Sequence, residues 1–187
     1  MRSKKTTTLV LVLGIWLGAS ILLLWVVGSS FPGVERAVQN NEKLAEKAGF
    51  KPGDSAAKKI SVPWVVTGEL NRQYFAGWNI GQLALAGMAL VCAARCRQRG
   101  SLLVLSLAAL IVLVLTFWLA PEITETGRSL DFVPREPPPA EEARFMGLHR
   151  VYTGLELVKL VLLAVAVKLS TREEEGEALG APPQQGL

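Results

Sequence analysis

Glu156 and Lys159 stand three residues apart near the middle of residues 145–169, a stretch that is otherwise apolar and long enough to cross a bilayer. An acid and a base at this spacing on a helix can form an ion pair. The same two groups facing water inside a membrane could instead take up and release a proton or cation whose affinity the ammonium tunes. At 100° per residue, His149, Tyr152, Glu156 and Lys159 fall within about 80° on one helix face. A polar stripe therefore runs down a greasy helix. A charge at a helix centre costs roughly 2.5 to 3.5 kcal/mol on insertion scales, and each Leu or Val returns about 0.3 to 0.6. With about twelve such residues the segment roughly breaks even, so it needs neighbouring helices with the stripe turned inward. Lys159 lies about ten residues from either end, roughly 15 Å, too deep to snorkel fully.

A second stripe is available to face the first. Asn79 and Gln82, with Asn71, Phe75 and Trp78, share about 100° of the second candidate span, residues 73–94, and the turn that leads into it. Intramembrane amides act as interhelical hydrogen-bond glue or line a cavity, and both roles fit here.

Other chemistries find little support. His149 is the single histidine, and the two cysteines, Cys92 and Cys96, match neither a C-x-x-C redox motif nor a zinc set. No metal and no cofactor are expected. No nucleophile-and-base constellation or phosphate loop appears, so no catalytic residue is assigned and an enzyme is the remote alternative. The net charge of +4 is dispersed through loops and flanks, which argues against nucleic acid as a partner.

The elements that must position these residues are four apolar blocks. In a chain of 187 residues of which half are apolar, the expected fold is all-α, a polytopic membrane bundle with four transmembrane helices. The order is a cytoplasmic N-terminus (1–8), TM1 (9–31), an outer loop with a short amphipathic helix (32–72), TM2 (73–94), a cytoplasmic basic loop (95–100), TM3 (101–120), a Pro-rich outer loop (121–144), TM4 (145–169) and a disordered cytoplasmic tail (170–187). The first apolar run is too long for a signal peptide and reads as a retained span. Pro32 is expected to end TM1 and Pro121 to stop TM3. Residues 34–48 read as one amphipathic helix stopped by Gly49, with a turn at Lys51-Pro52-Gly53-Asp54.

Arg2, Lys4 and Lys5, then Arg95, Arg97 and Arg99, then Lys168 and Arg172, flank short segments densely, which puts both termini in the cytoplasm. Trp25, Phe31, Tyr74, Trp78, Phe117, Trp118, Phe145 and Tyr152 mark the span ends on the opposite side, as an interfacial aromatic girdle would. Gly14 and Gly18 in TM1 and Gly77 and Gly81 in TM2 form G-x-x-x-G patterns and are expected to be helix-packing faces.

Trp16-Leu17-Gly18 in TM1, E-L-N-R-x-Y-F from Glu69 to Phe75, A-P-E-I from Ala120 to Ile123 and F-x-x-L-H-R-V-Y-x-x-x-E-L-V-K-L from Phe145 to Leu160 together resemble the transmembrane-protein-205-like family. The resemblance covers about residues 10–169, and its most specific part is the last motif. It implies a four-span domain, one of unknown function in bacteria and linked to drug tolerance in a vertebrate member. The first outer loop is longer than the family pattern implies.

Two functions from different classes fit these residues. One is small-solute, proton or ion handling through a polar seam between TM2 and TM4. The other is a non-catalytic structural or assembly subunit that binds other membrane proteins or a second copy of itself within the lipid bilayer of a bacterial cytoplasmic membrane. A handler needs water at Glu156, and a scaffold needs a dry pair.

Overall fold

The structure, a computed structural model, describes residues 4–48, 61–134 and 137–180. The expected Gly49 stop and the Lys51-Pro52-Gly53-Asp54 turn lie outside the described residues. Among those described, the chain is helical throughout and has no strand. The elements are α1 (Lys4–Gln39), α2 (Glu42–Ala48), α3 (Val62–Arg95), α4 (Arg99–Val114), a π-helical turn (Leu115–Leu119), α5 (Ala120–Ser129) and α6 (Ala140–Gly180).

Three stretches are long and apolar enough to cross a membrane, Thr6–Gln39, Val62–Arg95 and Arg99–Ser129. With 41 residues, α6 is longer than any of them. It is less apolar because Arg150, Glu156, Lys159 and Lys168 interrupt its greasy half. Exposure is inverted relative to a water-soluble fold: Trp25 is 70% exposed, Ile80 70% and Leu103 75%, while Gln82 and Lys159 are fully buried. Surroundings of lipid permit this, because apolar side chains meet acyl chains at no cost whereas polar ones must turn inward. The chain is consistent with an integral membrane protein.

The prolines do not end the helices expected to stop at them. α1 continues through Pro32 to Gln39. A proline withdraws one N–H from the ladder, which a long helix tolerates where neighbouring groups absorb the loss. The carbonyl left without its i+4 donor is that of Gly28; just upstream of Pro32, the Ser29 and Ser30 hydroxyls donate to the carbonyls of Val26 (3.0 Å) and Val27 (2.8 Å). The chain also passes Pro121 without a break in helicity. The ring of Pro121 is incompatible with a regular i→i−4 turn, and the turn before it is widened to a π-helix, closed by the Ala120 N–H on the Leu115 carbonyl. Residues 121–129 are thus helical where an extended Pro-rich loop was expected. Non-helical backbone is confined, among the described residues of that connection, to 130–134 and 137–139. The single amphipathic helix expected over 34–48 is divided: α1 takes its first part and α2 its second, with the Asn41 side chain capping α2 by accepting the Leu44 N–H at 3.1 Å. α6 begins at Ala140 and runs to Gly180, so the start of the tail expected to be disordered is helical.

The chain forms two compact units. The first comprises Met1–Ser20, Gly81–Leu113 and Glu156–Leu187, and the second Ile21–Ile80 and Val114–Leu155. In the first, α1 buries Leu9, Leu13 and Trp16, a face at i, i+4, i+7. From α3 come Ala86, Ala89 and Ala93, and from α4 Leu105 and Ala108. Helices associating in lipid gain from small residues that let backbones approach, and alanines supply that here. The glycines do not. Gly14 and Gly18 are exposed, and a Cβ added to either would meet nothing within 4 Å. Gly77, in the second unit, is likewise exposed with nothing within 4 Å, and Gly81 is half-buried. Within the chain, Gly14, Gly18 and Gly77 meet no neighbour: the inward face of α1 is taken by Trp16 and its neighbours in register, which turns Gly14 and Gly18 outward.

The basic link between α3 and α4 closes as a helix C-terminal motif. The Gln98 N–H bonds the Ala93 carbonyl at 3.2 Å and the Arg97 N–H the Ala94 carbonyl at 3.1 Å, with Arg97 at φ 56° in the place usually held by glycine. Ser101 and Ser170 hydroxyls meet at 3.0 Å beside it.

Candidate functional site

The polar residues expected to form one seam fall into two groups, one in each unit. In the first unit, Glu156 and Lys159 point from α6 at Gln82 of α3, and Trp16 of α1 joins them. Lys159 Nζ donates to Glu156 Oε2 at 2.5 Å and also to Gln82 Oε1. Gln82 Nε2 donates to Glu156 Oε1 at 3.3 Å, and Trp16 Nε1 donates to Gln82 Oε1 at 3.5 Å. The carboxamide is the group that suits this place. Its oxygen has two lone pairs for the ammonium and the indole, and its NH2 faces the carboxylate. Trp16, Gln82 and Lys159 are fully buried and Glu156 is 3% exposed. The four side chains are buried and hydrogen-bond to one another. Buried charges are tolerated only when paired and hydrogen-bonded, and this arrangement meets that condition.

Asn79 and Tyr152 belong to the second unit. The Tyr152 hydroxyl donates to Asn79 Oδ1 at 3.4 Å, and the Tyr152 ring meets Phe75 edge-on at 5.3 Å. Both polar residues are buried, yet they line a cavity of about 590 Å³ together with His149, Thr116, Arg128 and Pro121. The His149 ring stacks on Phe145, with centroids 6.0 Å apart. Thr116 comes from the π-helical turn, and its Oγ1 is buried with no hydrogen-bond partner. A wide turn of this kind re-aims side chains, and such turns recur at functional sites. A mostly apolar cavity holding a few convergent polar groups is the usual form of a small-molecule site.

No protein-family model, curated protein or solved structure matches the chain.

An ionic network in the second unit was not read from the sequence. Arg72 grips Asp131 with two hydrogen bonds, of 2.8 and 2.9 Å, and also donates to Glu69 at 3.0 Å. Arg128 closes the set on Glu69 at 2.8 Å. The i, i+3 pair Glu69–Arg72 was legible, but Asp131 is 59 residues from Arg72 and no spacing rule connects them. Trp16 did carry a signal: an indole N–H in the middle of an apolar helix requires an acceptor. Thr116 carried almost none, since its role depends on the wide turn that Pro121 imposes. Among the described residues, no group of three or more His, Cys, Asp or Glu side chains could hold a metal ion. Cys92 and Cys96 form no disulfide, and both are half-buried.

Proposed function

We propose that the protein is a four-span integral membrane protein that holds a small solute in the cavity lined by Asn79, Tyr152, Thr116 and His149, and that the Glu156–Lys159 cluster locks its helices instead of handling the solute. The observation that carries this reading is a mostly apolar cavity of about 590 Å³ whose wall brings together Asn79, Tyr152, Thr116 and His149. A few polar groups converging on apolar walls are the usual form of a small-molecule site. α6 is the fourth span, because its two central charges are neutralised within the cluster and so do not keep it out of lipid.

The family resemblance and the distribution of side chains support the topology. All eight girdle aromatics, from Trp25 to Tyr152, belong to the second unit, while Arg95, Arg97, Arg99, Lys168 and Arg172 fall in segments of the first. Interfacial aromatics at the span ends and dense basic residues flanking the short segments support both termini in the cytoplasm of a bacterial cell. The assembly-subunit reading, in which the chain binds other membrane proteins through its glycine faces, keeps the outward-facing Gly14, Gly18 and Gly77 in its favour; the self-paired cluster fits either reading.

Thiol labelling in intact membranes tests the proposal. On a Cys92→Ser, Cys96→Ser background, a charged reagent added from outside is expected to modify Thr116→Cys and to leave Gln82→Cys unmodified. Protection at Thr116→Cys would remove the cavity from consideration. Modification at Gln82→Cys would return the hydrated seam as the working site.

A further inference from the structure

The turn that joins α3 to α4 carries Arg95, Arg97 and Arg99, all three exposed, and α6 adds the exposed Lys168. The Gln98 side-chain N–H donates to the Ser170 carbonyl at 3.4 Å, and the Ser101 and Ser170 hydroxyls meet at 3.0 Å. These bonds hold the turn against α6 close to Lys168, so the four cations share one end of the first unit. Among the described residues, none of the four side chains has a hydrogen-bond or ion-pair partner. The chain around the turn supplies no acid, because no Asp or Glu stands between residues 73 and 121. Arg172 is a different case, since Glu173, Glu174 and Glu175 follow it directly.

Arg97 is set apart by its backbone. Its φ of 56° puts it in the left-handed position that closes a helix C-terminus, where glycine fits without strain and a residue with a Cβ does not. The preference for basic residues in short cytoplasmic links is met by a cation at any neighbouring position, so it gives no reason to place one here. A strained position held by an arginine that has no partner in its own chain points to a partner outside it.

The surroundings select among anions. Arg95 ends one stretch long and apolar enough to cross a membrane, Val62–Arg95, and Arg99 opens the next, Arg99–Ser129. Lipid phosphates lie at the ends of such stretches, and each basic residue near an anionic membrane surface is worth about fivefold in affinity. A single-stranded nucleic acid would call for aromatic faces on which its bases stack. Trp16, buried beside Gln82, is the only Phe, Trp or Tyr of the first unit. We propose that the end of the first unit bearing Arg95, Arg97, Arg99 and Lys168 is a docking surface for the phosphate groups of anionic phospholipids in the adjoining leaflet. The surface shares no residue with the solute cavity and stands or fails without it.

Phosphatidylglycerol is the probe, with phosphatidylcholine of the same acyl chains as its zwitterionic counterpart. Both are titrated onto the full chain in a non-ionic detergent, and the bound lipid is counted by native mass spectrometry. Phosphatidylglycerol is expected to bind at least about twentyfold more tightly. Arg97→Gly should weaken it by about fivefold while the protein unfolds at the parent's temperature or above, since glycine relieves the left-handed backbone. Arg95→Gln, Arg97→Gly and Arg99→Gln together should bring the two lipids to within about fivefold of each other, the effect of the one remaining cation. Arg150→Gln, at an exposed position of the second unit, should change nothing. Equal binding of the two lipids overturns the proposal, as does a preference undiminished in the triple variant or lost in Arg150→Gln instead. Displacement of bound phosphatidylglycerol by a single-stranded oligonucleotide also overturns it and makes nucleic acid the partner. Should the triple variant fail to fold, Arg97→Gly decides the matter, and unaltered phosphatidylglycerol affinity in it overturns the proposal.

Discussion

Trp16, Gln82, Glu156 and Lys159 in the first unit direct their polar atoms at one another, whereas Asn71, Asn79, Thr116 and Tyr152 in the second unit line cavities, Asn71 and Thr116 each with a buried oxygen that has no hydrogen-bond partner. Both sets are buried and both draw on helices rich in apolar residues. The difference lies in satisfaction. A charged pair deep in a helix draws attention first because it is expensive, yet expense met by complete pairing describes a lock. Incomplete pairing beside space describes a site that waits for something.

The largest effect should come from breaking that lock on one side. Lys159→Met leaves the Glu156 carboxylate buried with the Gln82 amide alone, and a loss of about 3–5 kcal/mol is expected, as for other buried pairs stripped of one partner. Combining it with Glu156→Leu removes both charges and should restore stability to within about 1 kcal/mol of the parent. Unfolding of the purified protein in mixed micelles measures both. A single variant as stable as the parent, or a double variant as damaged as the single one, would mean that Glu156 has a task other than pairing.

The second-largest effect separates the units. Arg72→Lys keeps the charge but cannot reproduce the fork on Asp131, and the cost is about 1–3 kcal/mol because both side chains are mostly buried. The damage should stay in the second unit. Reagent access to Thr116→Cys is expected to rise while Gln82→Cys stays protected. A parallel rise at both positions would show that the lock depends on the Arg72 network, and the contrast between the clusters would collapse.

How much of this could be read beforehand depends on whether a helix or a turn set the outcome. The stripe His149, Tyr152, Glu156, Lys159 was legible because helical periodicity alone places those residues, and Gln82 opposite them was legible as an amide in an apolar helix. Their division was not. Asn79 and Gln82 share a face only three residues apart, but Asn79 pairs with Tyr152 and Gln82 with Glu156 and Lys159. The proline rule failed at Pro32 and Pro121 because a long apolar helix tolerates one lost bond and, at Pro121, a widened turn accommodates the ring, which single-residue propensity ignores. Asp131 could not be paired with Arg72 at all, since helix–loop contacts across 59 residues leave no periodic trace.

A smaller effect probes the close packing behind the ionic network. A Cβ on Gly127 would lie 3.2 Å from the Phe145 ring and 3.3 Å from the Arg72 guanidinium. Both neighbours are side chains that can yield by a few tenths of an ångström, so Gly127→Ala should cost only about 1 kcal/mol. It should also shift Phe145, whose ring stacks on His149, and unfolding of the purified protein in mixed micelles measures the cost.

The smallest expected effect is at the outward glycines, and it bears on what each surface faces. With nothing within 4 Å of a Cβ at Gly14 or Gly18, a methyl group there meets only surrounding lipid, and alanine is the better helix former by roughly 0.5–1 kcal/mol. The Gly14→Ala, Gly18→Ala variant should be as stable as the parent or slightly more so, and its apparent mass in detergent should be the same. If the variant instead loses stability or changes its oligomeric state, another helix covers that face in the assembled protein. Trp16, between the two glycines, would then still point into its own chain while its neighbours pack against a second. The lock and an intermolecular contact would share one helix, on opposite faces, and the first unit would carry an assembly role alongside the binding role proposed for the second.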